Sequence, residues 1–279
     1  MQIYRHLDWL DITLHSAANW KRFLPGSEWK QTGKGYHGYK RAWQEVRTGV
    51  TAQDGADDPK MTPHITMTGI PLAELKAVNG WSDNDLATMI QKGDCKCSRL
   101  DMAIDCWGAE FTPGSLALAI EARSAHVPAR TWRYIDGHSG NIHGATFETG
   151  APSSEKRFRF YDKTAEQRIV DGQAWVRLEL QLRNIYARFG VGSCAENGTE
   201  ATITGHIGAY LKWDNPDYQH VLIADSVPPK RQARPLSNRR EWLNGQVARA
   251  LAGELVDDPA YREQFDLMVD CWVEQLTNR

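Results

Sequence analysis

The sequence predicts an α+β fold: a mainly antiparallel sheet with helices covering one face and the active site on the open face, plus a helical C-terminal region. Strand-like segments follow one another with short turns, one helical crossover lies among them, and helical patterns gather after residue 184. Such segregation is typical of α+β proteins. We expect a sheet domain at residues 1–190 and a helical region packed on it at residues 191–279, with a basic linker near residues 225–240.

The first strands are predicted from alternation. Residues 8–14 alternate between polar and apolar side chains, which is typical of a half-buried strand. Residues 38–50 and 61–69 also have extended patterns, and they flank the turn-rich segment QDGADDPK. This arrangement predicts a long β-hairpin.

Three helices are predicted from their start signals. One begins near Pro71, and a second follows Ser82, where Asp85 completes a pattern similar to a capping box. The third begins after Thr112, which can cap a helix, with Pro113 in the first turn.

The centre of the chain predicts five more strands, at residues 97–107, 129–136, 144–149, 156–163 and 174–183. Because side chains alternate across a strand, three of these strands each have one apolar and one charged face. If they are neighbours, their charged faces merge into one surface. That surface would carry Arg99, Asp101, Ala103 and Asp105 from the first, Arg157, Arg159, Tyr161 and Lys163 from the second, and Arg177, Glu179, Gln181 and Arg183 from the third.

These residue types indicate phosphodiester chemistry. Carboxylates bind hard divalent cations such as Mg²⁺ or Mn²⁺, and arginines grip phosphate oxygens with two hydrogen bonds. The predicted metal ligands are Asp101, Asp105 and Glu179, and the predicted DNA contacts on this surface are Arg99, Arg157, Arg177 and Arg183.

Tyr161 is the one plausible nucleophile at the centre of this surface. A phenol has a pKa of about 10 and therefore needs activation near neutral pH. We expect the flanking Arg159 and Lys163, together with a metal, to lower that pKa. Attack on phosphorus would give a 5′-phosphotyrosine and a free 3′-hydroxyl. Alternation alone is also typical of any solvent-exposed antiparallel sheet, in which a tyrosine is only a good strand former.

Three segments together resemble a known family. RLDMAID, TFETGAPSSEKRFRFYDKTAEQ and WVRLELQLR, in this order and spacing, resemble the Rep_trans family of rolling-circle replication initiators of plasmids and phages, which includes related conjugative relaxases. HLDWLDITL and HITMTGIPLAEL resemble its amino-terminal signatures, so the resemblance spans residues 5–190. It implies a strand transferase that nicks one DNA strand at an origin through a tyrosine and a divalent metal. A host helicase and a second copy of the chain are further partners to consider.

The resemblance also places functional residues. The tyrosine of the family's YDK or YNK motif falls on Tyr161, and its acidic metal-site candidates fall on Asp101, Asp105 and Glu179. The chain departs from the family at residues 150–152, where Gly-Ala-Pro replaces a usual Gly-Ser-Arg turn. The phosphate contact of that arginine is then lost or supplied by Lys156 or Arg157. Glu148 is left open as a further ligand or a strand residue.

The charge is unevenly distributed, although the net charge is only −2. Residues 230–249 are basic, and we expect them to help hold origin DNA; a solvated linker is the alternative. The acidic terminal segment predicts an amphipathic helix that packs on its own domain or on a second copy. The basic residues predicted to contact DNA are Arg231, Arg234, Arg239 and Arg240.

Several classes of protein are disfavoured by the sequence. It has no apolar run long enough for a membrane span and no signal-peptide pattern at its start, so we expect a cytoplasmic protein. The cysteines form no CxxC pair, which favours reduced thiols over a Cys95-x-Cys97 metal site. No hydrolase elbow, phosphate-binding loop or dinucleotide fingerprint is present. The alternative function is a non-catalytic origin- or operator-binding regulator on the same scaffold.

Overall fold

The computed structural model of the chain describes residues 1–139, 142–169, 172–222 and 226–229. These residues belong to one compact unit, Met1–Pro229. The acidic terminal helix and the basic residues Arg231, Arg234, Arg239 and Arg240 lie outside the described residues. The division at residue 190 stays a prediction.

Antiparallel strands dominate the described part of the chain. In chain order they are β1 Gln2–Leu14, β2 Trp29–Gly33, β3 Arg41–Glu45, β4 Thr51–Asp54, β5 His64–Thr68, β6 Cys95–Trp107, β7 Ala125–His126, β8 Trp132–Ser139, β9 Ile142–Thr149, β10 Lys156–Asp162, β11 Trp175–Arg183 and β12 Lys212–Trp213.

The helices lie between and after these strands. They are α1 Gly69–Asn79, α2 Asp83–Lys92, α3 Pro113–Glu121, α4 Lys163–Glu166, α5 Asn184–Asn197, α6 Thr199–Tyr210 and α7 Pro216–Val221. Among the described helices, none combines the length and apolar character needed to cross a membrane.

Ten of the described strands form one sheet, in the order β2-β3-β4-β5-β1-β6-β11-β10-β9-β8. Every neighbouring pair in it is antiparallel. The α+β fold with a mainly antiparallel sheet is therefore confirmed. The strands β6, β11 and β10 are direct neighbours, so the three charged faces do meet.

The predicted hairpin is wrong in one respect. Residues 38–50 do not form one extended arm: they contain β3, which ends at Glu45, and a turn, and the strand that pairs with β5 is β4, which begins at Thr51. Gly49 has a φ of +76° in the connecting turn, a conformation that favours glycine. The buried Glu45 carboxylate accepts hydrogen bonds from the Thr48 backbone (2.8 Å) and hydroxyl (2.7 Å). The buried Glu45 carboxylate therefore stabilises the turn that separates β3 from β4.

The helices pack on the apolar face of the sheet. Phe158 of β10 stacks on Tyr210 of α6, with ring centroids 5.7 Å apart. The ring centroid of Phe160 lies 5.6 Å from that of Phe111, a residue just before α3. Helix α5 approaches so closely at Gly190 that an added Cβ would lie 2.7 Å from a Leu100 methyl group. This layer leaves the charged face on the other side of the sheet.

Two predicted helix starts are confirmed in detail. Ser82 and Asp85 form a reciprocal capping box at α2, and Thr112 forms one with Ser115 at α3, where Pro113 occupies the first turn. Each cap satisfies backbone N–H groups that a helix leaves free at its start.

Candidate active site

The register of β6, β11 and β10 arranges the charged face in rows. Directly opposed residues on neighbouring antiparallel strands lie close together. The three rows are Asp105, Arg177 and Tyr161; Ala103, Glu179 and Arg159; and Asp101, Gln181 and Arg157. The residues predicted to act together are therefore brought together by backbone pairing.

The carboxylates of Asp101, Asp105 and Glu179 surround the small side chain of Ala103. Asp101 and Asp105 precede and follow Ala103 on β6, and Glu179 lies opposite it on β11. All three are nearly inaccessible, with residue exposures of 1–2%. Among the described residues, no helix layer covers the charged face, because the helices pack on the apolar face. Its carboxylates are nevertheless covered by their own arginine partners. These pairs are Asp101 with Arg99, Asp105 with Arg177, and Glu179 with Arg159.

A β-bulge adds an acid that alternation does not predict. Leu7 pairs with Met102 and Trp9 with Asp101, so Asp8 is an extra residue in β1. Its Oδ1 accepts a hydrogen bond from Arg177 Nη1 at 2.7 Å. A bulge interrupts the alternation of side chains, so the strand pattern of residues 8–14 did not place Asp8 on the charged face.

Asp8 and His6 extend the charged cluster onto β1. Burial acts to raise the pKa of Asp8, but a hydrogen bond from His6 and the charge of Arg177 outweigh it and hold that pKa at about 2. His6 Nε2 lies 3.5 Å from Asp8, and the buried Nδ1 atom has no hydrogen-bond partner within the described residues. Asp8 therefore stays ionised beside Arg177.

Tyr161 is buried beside Glu179. Its exposure is 7%, and its hydroxyl donates a hydrogen bond to Glu179 Oε2 at 3.2 Å. Arg159 and the Lys163 amine each lie 5.5 Å from the centre of the phenol ring.

The pKa of Tyr161 moves opposite to the expectation. Burial raises it most, the Glu179 carboxylate raises it further, and Arg177 and Arg159 lower it only in part. The arginines act in the predicted direction, but desolvation disfavours the phenolate more than they favour it, so these cations alone do not bring the pKa below its usual value. The predicted effect of a metal stays a prediction. The phenol is neutral and must lose its proton as it reacts.

The carboxylates around Ala103 suit a hard divalent cation in their chemistry. The pKa of Asp101 is raised to about 6. Burial raises it most, a hydrogen bond from Arg99 acts to lower it, and the nearby Glu179 charge raises it further. A bound cation would reduce the electrostatic repulsion between such closely spaced carboxylates. Within the described residues, however, no three His, Cys, Asp or Glu side chains are grouped as metal ligands. A metal would need these carboxylates to leave their arginine partners.

The arginines predicted to contact phosphate mostly hold carboxylates. Arg177 bridges Asp105 and Asp8, with hydrogen bonds of 2.7–2.8 Å. Arg99 pairs with Asp101 and stacks on Trp9, its guanidinium carbon 3.8 Å from the ring centre. Arg177 and Arg99 could therefore contact DNA directly only after leaving their carboxylate partners.

Two other arginines on this face keep a nitrogen without a partner. The Nε atoms of Arg157 and Arg183 are buried and make no hydrogen bond among the described residues. Glu148, which the sequence left open, accepts hydrogen bonds from both Arg133 and Arg157. Burial acts to raise the pKa of Glu148, but the hydrogen bonds and charges of Arg157 and Arg133 outweigh it and lower that pKa. Glu148 is thus a buried anchor for two arginines.

The turn at residues 150–152 is built on glycine. Gly150 has a φ of +83°, and an added Cβ would lie 2.6 Å from the Lys156 carbonyl oxygen. Of the two suggested replacements for the missing arginine, Lys156 lies toward the helix layer, with its amine 4.2 Å from the centre of the Tyr186 ring. Arg157 is the one on the charged face.

The cysteines of the described part are free. Burial raises the pKa of Cys95 to about 11, with a contribution from Asp94, and raises that of Cys97 well above its usual value. Both groups are therefore neutral thiols rather than preformed thiolate ligands.

Comparisons with known proteins agree with this picture. Residues 95–220 match the Rep_trans family model, described as "Replication initiation factor", and this region includes β6, β10, β11 and Tyr161. The chain is also similar to the rolling circle replication initiator protein from Geobacillus stearothermophilus, with a TM-score of 0.65 and 21% identity, over 82% of this chain and 93% of that chain. A comparison with curated proteins finds no match. The family model thus agrees with the predicted resemblance over residues 95–220, and the structural similarity supports the predicted fold.

Proposed function

We propose that this chain, whose residues 95–220 match the Rep_trans family model of replication initiation factors, starts rolling-circle DNA replication by nicking one strand of an origin. The observation that carries the proposal is the hydrogen bond from Tyr161 to Glu179 on the charged face. It pairs a nucleophile with a proton acceptor in a setting rich in phosphate-binding side chains.

The chemical step is a transesterification. Tyr161 Oη attacks the scissile phosphorus, an O–P bond forms, and the bond from phosphorus to the 3′-oxygen breaks. The phenol proton passes to Glu179 Oε2, and the departing 3′-oxygen takes up a proton from solvent. The products are a 5′-phosphate linked to Tyr161 and a free 3′-hydroxyl that can serve as a primer.

Glu179 links this step to the neighbouring arginine. Its Oε1 accepts a hydrogen bond from Arg159, whose side chain is 35% exposed. A long, partly exposed guanidinium can turn from the carboxylate to a phosphate oxygen, for which its fork geometry is equally suited. Such an exchange would place Arg159 on the substrate and leave Glu179 free to take the phenol proton. Lys163 is the second cation beside the ring.

A divalent metal is the cofactor that the family resemblance implies. Asp101, Asp105 and Glu179 are the residues that would hold it, and when bound it would polarise the scissile phosphate. In the described arrangement each of these carboxylates is paired with an arginine. Metal dependence therefore stays a prediction, which a comparison of nicking in Mn²⁺, in Mg²⁺ and in chelator tests directly.

DNA is the partner that this function requires. Arg157 and Arg183 are the predicted phosphate contacts whose buried Nε atoms have no hydrogen-bond partner among the described residues, and we expect them to contact backbone phosphates once these side chains turn outward. The basic residues beyond position 229, a host helicase and a second copy of the chain stay predictions.

The decisive experiment is detection of the covalent intermediate. The protein is incubated with Mn²⁺ and single-stranded oligonucleotides that tile the replicon carrying its gene, and adducts are identified by mass spectrometry of proteolytic peptides. We expect one oligonucleotide to yield a nucleotide attached to Tyr161, and the Tyr161→Phe variant to yield none. An adduct on another residue, or nicking that survives in Tyr161→Phe, contradicts the tyrosine mechanism. Sequence-specific binding without any adduct favours the non-catalytic regulator.

A further inference from the structure

Two tryptophans lie next to the proposed nucleophile on the charged face of the sheet. Trp107 of β6 and Trp175 of β11 are directly opposed, and their rings stack with centroids 4.9 Å apart and planes 18° from parallel. On the same face of the sheet, they form the next row after that of Asp105, Arg177 and Tyr161, two residues away along each strand. Both residues are only partly buried. Large aromatic rings on this face are unexpected if their role is to fill the core, because the helix layer packs on the other face.

A third aromatic ring borders the same place. Tyr4 of β1 lies opposite Asp105, is 53% exposed, and stacks on His6 with centroids 5.0 Å apart. Trp107 pairs with the next position on that side, Gln2. Tyr4 and Trp107 are therefore diagonal neighbours, at a spacing of about 7–8 Å that aromatic side chains can bridge. Aromatic surface thus extends across three adjacent strands beside the nucleophile.

Cations accompany these rings. The Lys163 amine lies 5.9 Å from the centre of the Trp175 ring, and the Arg177 guanidinium lies 6.0 Å from it. Lys163 also lies 5.5 Å from the Tyr161 ring. Aromatic faces for bases, together with cations for the backbone, are the combination that binds single-stranded nucleic acid. Lys163 is paired with Glu166, and Arg177 with Asp8 and Asp105. These cations reach a phosphate only by leaving those partners, so the partly exposed rings are the surface that a single strand can contact without rearrangement.

We propose that Tyr4, Trp107 and Trp175 form a stacking platform for an unpaired nucleobase next to the scissile phosphate. The inference rests on the proposed function, since it takes single-stranded DNA as the ligand. The platform would hold the strand by a base face rather than by sequence-specific hydrogen bonds, and so would fix where the phosphate meets Tyr161.

The test measures binding apart from chemistry. All variants are made in the full-length Tyr161→Phe protein, so that no covalent step can occur. The probes are a fluorescent oligothymidylate of about 12 nucleotides and an abasic strand of the same length and charge. We expect Trp107→Ala to weaken binding of oligothymidylate by roughly 5- to 100-fold, as for the loss of one stacked base, and to leave binding of the abasic strand unchanged.

Matched variants separate stacking from folding. Trp107 is chosen because the Trp175 indole donates a hydrogen bond to Asp105 at 2.9 Å. We expect Trp107→Phe to keep most of the affinity, and exposed Tyr4→Ala to lose part of it on oligothymidylate alone. Phe189→Ala removes a ring that is 47% exposed on α5, on the helix side, and should change neither probe. Melting temperatures identify any variant that has lost its fold.

The outcomes are distinct. If Trp107→Ala and Tyr4→Ala fold but bind oligothymidylate as before, or lose both probes equally, the platform is overturned. If the platform variants behave as expected but the wild type forms no adduct with origin strands, the nicking function fails while the binding site stands.

Discussion

Tyr161 and Glu179 are diagonal neighbours on adjacent strands, and the phenol oxygen lies 3.2 Å from Glu179 Oε2. In the strand register Tyr161 lies directly opposite Arg177, and Glu179 lies directly opposite Arg159. The carboxylate thus has two effects on the phenol. It helps raise the pKa of Tyr161, and it can accept the proton during attack.

Glu179→Gln tests the proton acceptor. Glutamine keeps the size and can accept a hydrogen bond, but it cannot take the phenol proton, so we expect the nicking rate to fall by about 10²- to 10⁴-fold. Oligonucleotide affinity should change little. The rate is measured in single-turnover cleavage with the origin strand identified from the adduct.

Glu148→Gln is the matched control for this substitution. Glu148 is also a buried carboxylate paired with an arginine, but it contacts Arg133 and Arg157 rather than the phenol. We expect its nicking rate to stay within about tenfold of wild type, below the usual effect of a general base. Equal losses in the two variants would mean that Glu179 acts through stability and not as a base.

Arg177→Met should destabilise the fold strongly. Its guanidinium is buried between Asp8 and Asp105, and removing it leaves two carboxylates without their cation. The expected loss in the free energy of unfolding is about 3–5 kcal/mol. Arg133→Met is the comparison, since that side chain is 63% exposed and Glu148 keeps Arg157; its loss should be about 0–1 kcal/mol. Similar urea unfolding midpoints for the two variants would contradict the buried bridge.

Gly190→Ala tests the close contact between α5 and the sheet. The added Cβ would lie 2.7 Å from Leu100 Cδ2 and 3.1 Å from atoms of Leu182 and Met102. We expect a loss of about 1–3 kcal/mol from overpacking. Gly192→Ala on the same helix meets nothing nearer than 3.7 Å and should gain about 0.5–1 kcal/mol from helix propensity. Calorimetry or urea unfolding distinguishes the two, and a gain in both would show that the helix can move away.

His206 should make stability depend on pH. Burial lowers its pKa to about 4, with a smaller contribution from Lys156. Between pH 6.5 and 4 the unfolded chain binds a proton that the folded chain excludes, so its contribution is present above pH 6.5 and is lost as the pH falls. The loss is about 2–3 kcal/mol. In His206→Gln the decrease in urea midpoint over this range should be correspondingly smaller; an equal decrease would locate the effect elsewhere.

Much of the site follows from local patterns in the sequence. The period of two in β6, β10 and β11 assigns Asp101, Asp105, Tyr161 and Glu179 to one face, because alternate side chains must point the same way. The same period assigns the apolar side chains to the helix layer, and the cap at Ser82 begins α2. These features depend only on residues a few positions apart.

Other features of the site depend on contacts between residues far apart in the chain. The bulge that adds Asp8 depends on the register between β1 and β6, and the choice of ion-pair partner for each arginine depends on which strands are neighbours. Burial, in turn, is a property of the whole packed face. The period of two in the sequence predicts which side chains share a face within each strand. Packing sets which strands are neighbours, and it makes Tyr161 a neutral phenol hydrogen-bonded to Glu179, because desolvation and charge act between residues far apart in the chain.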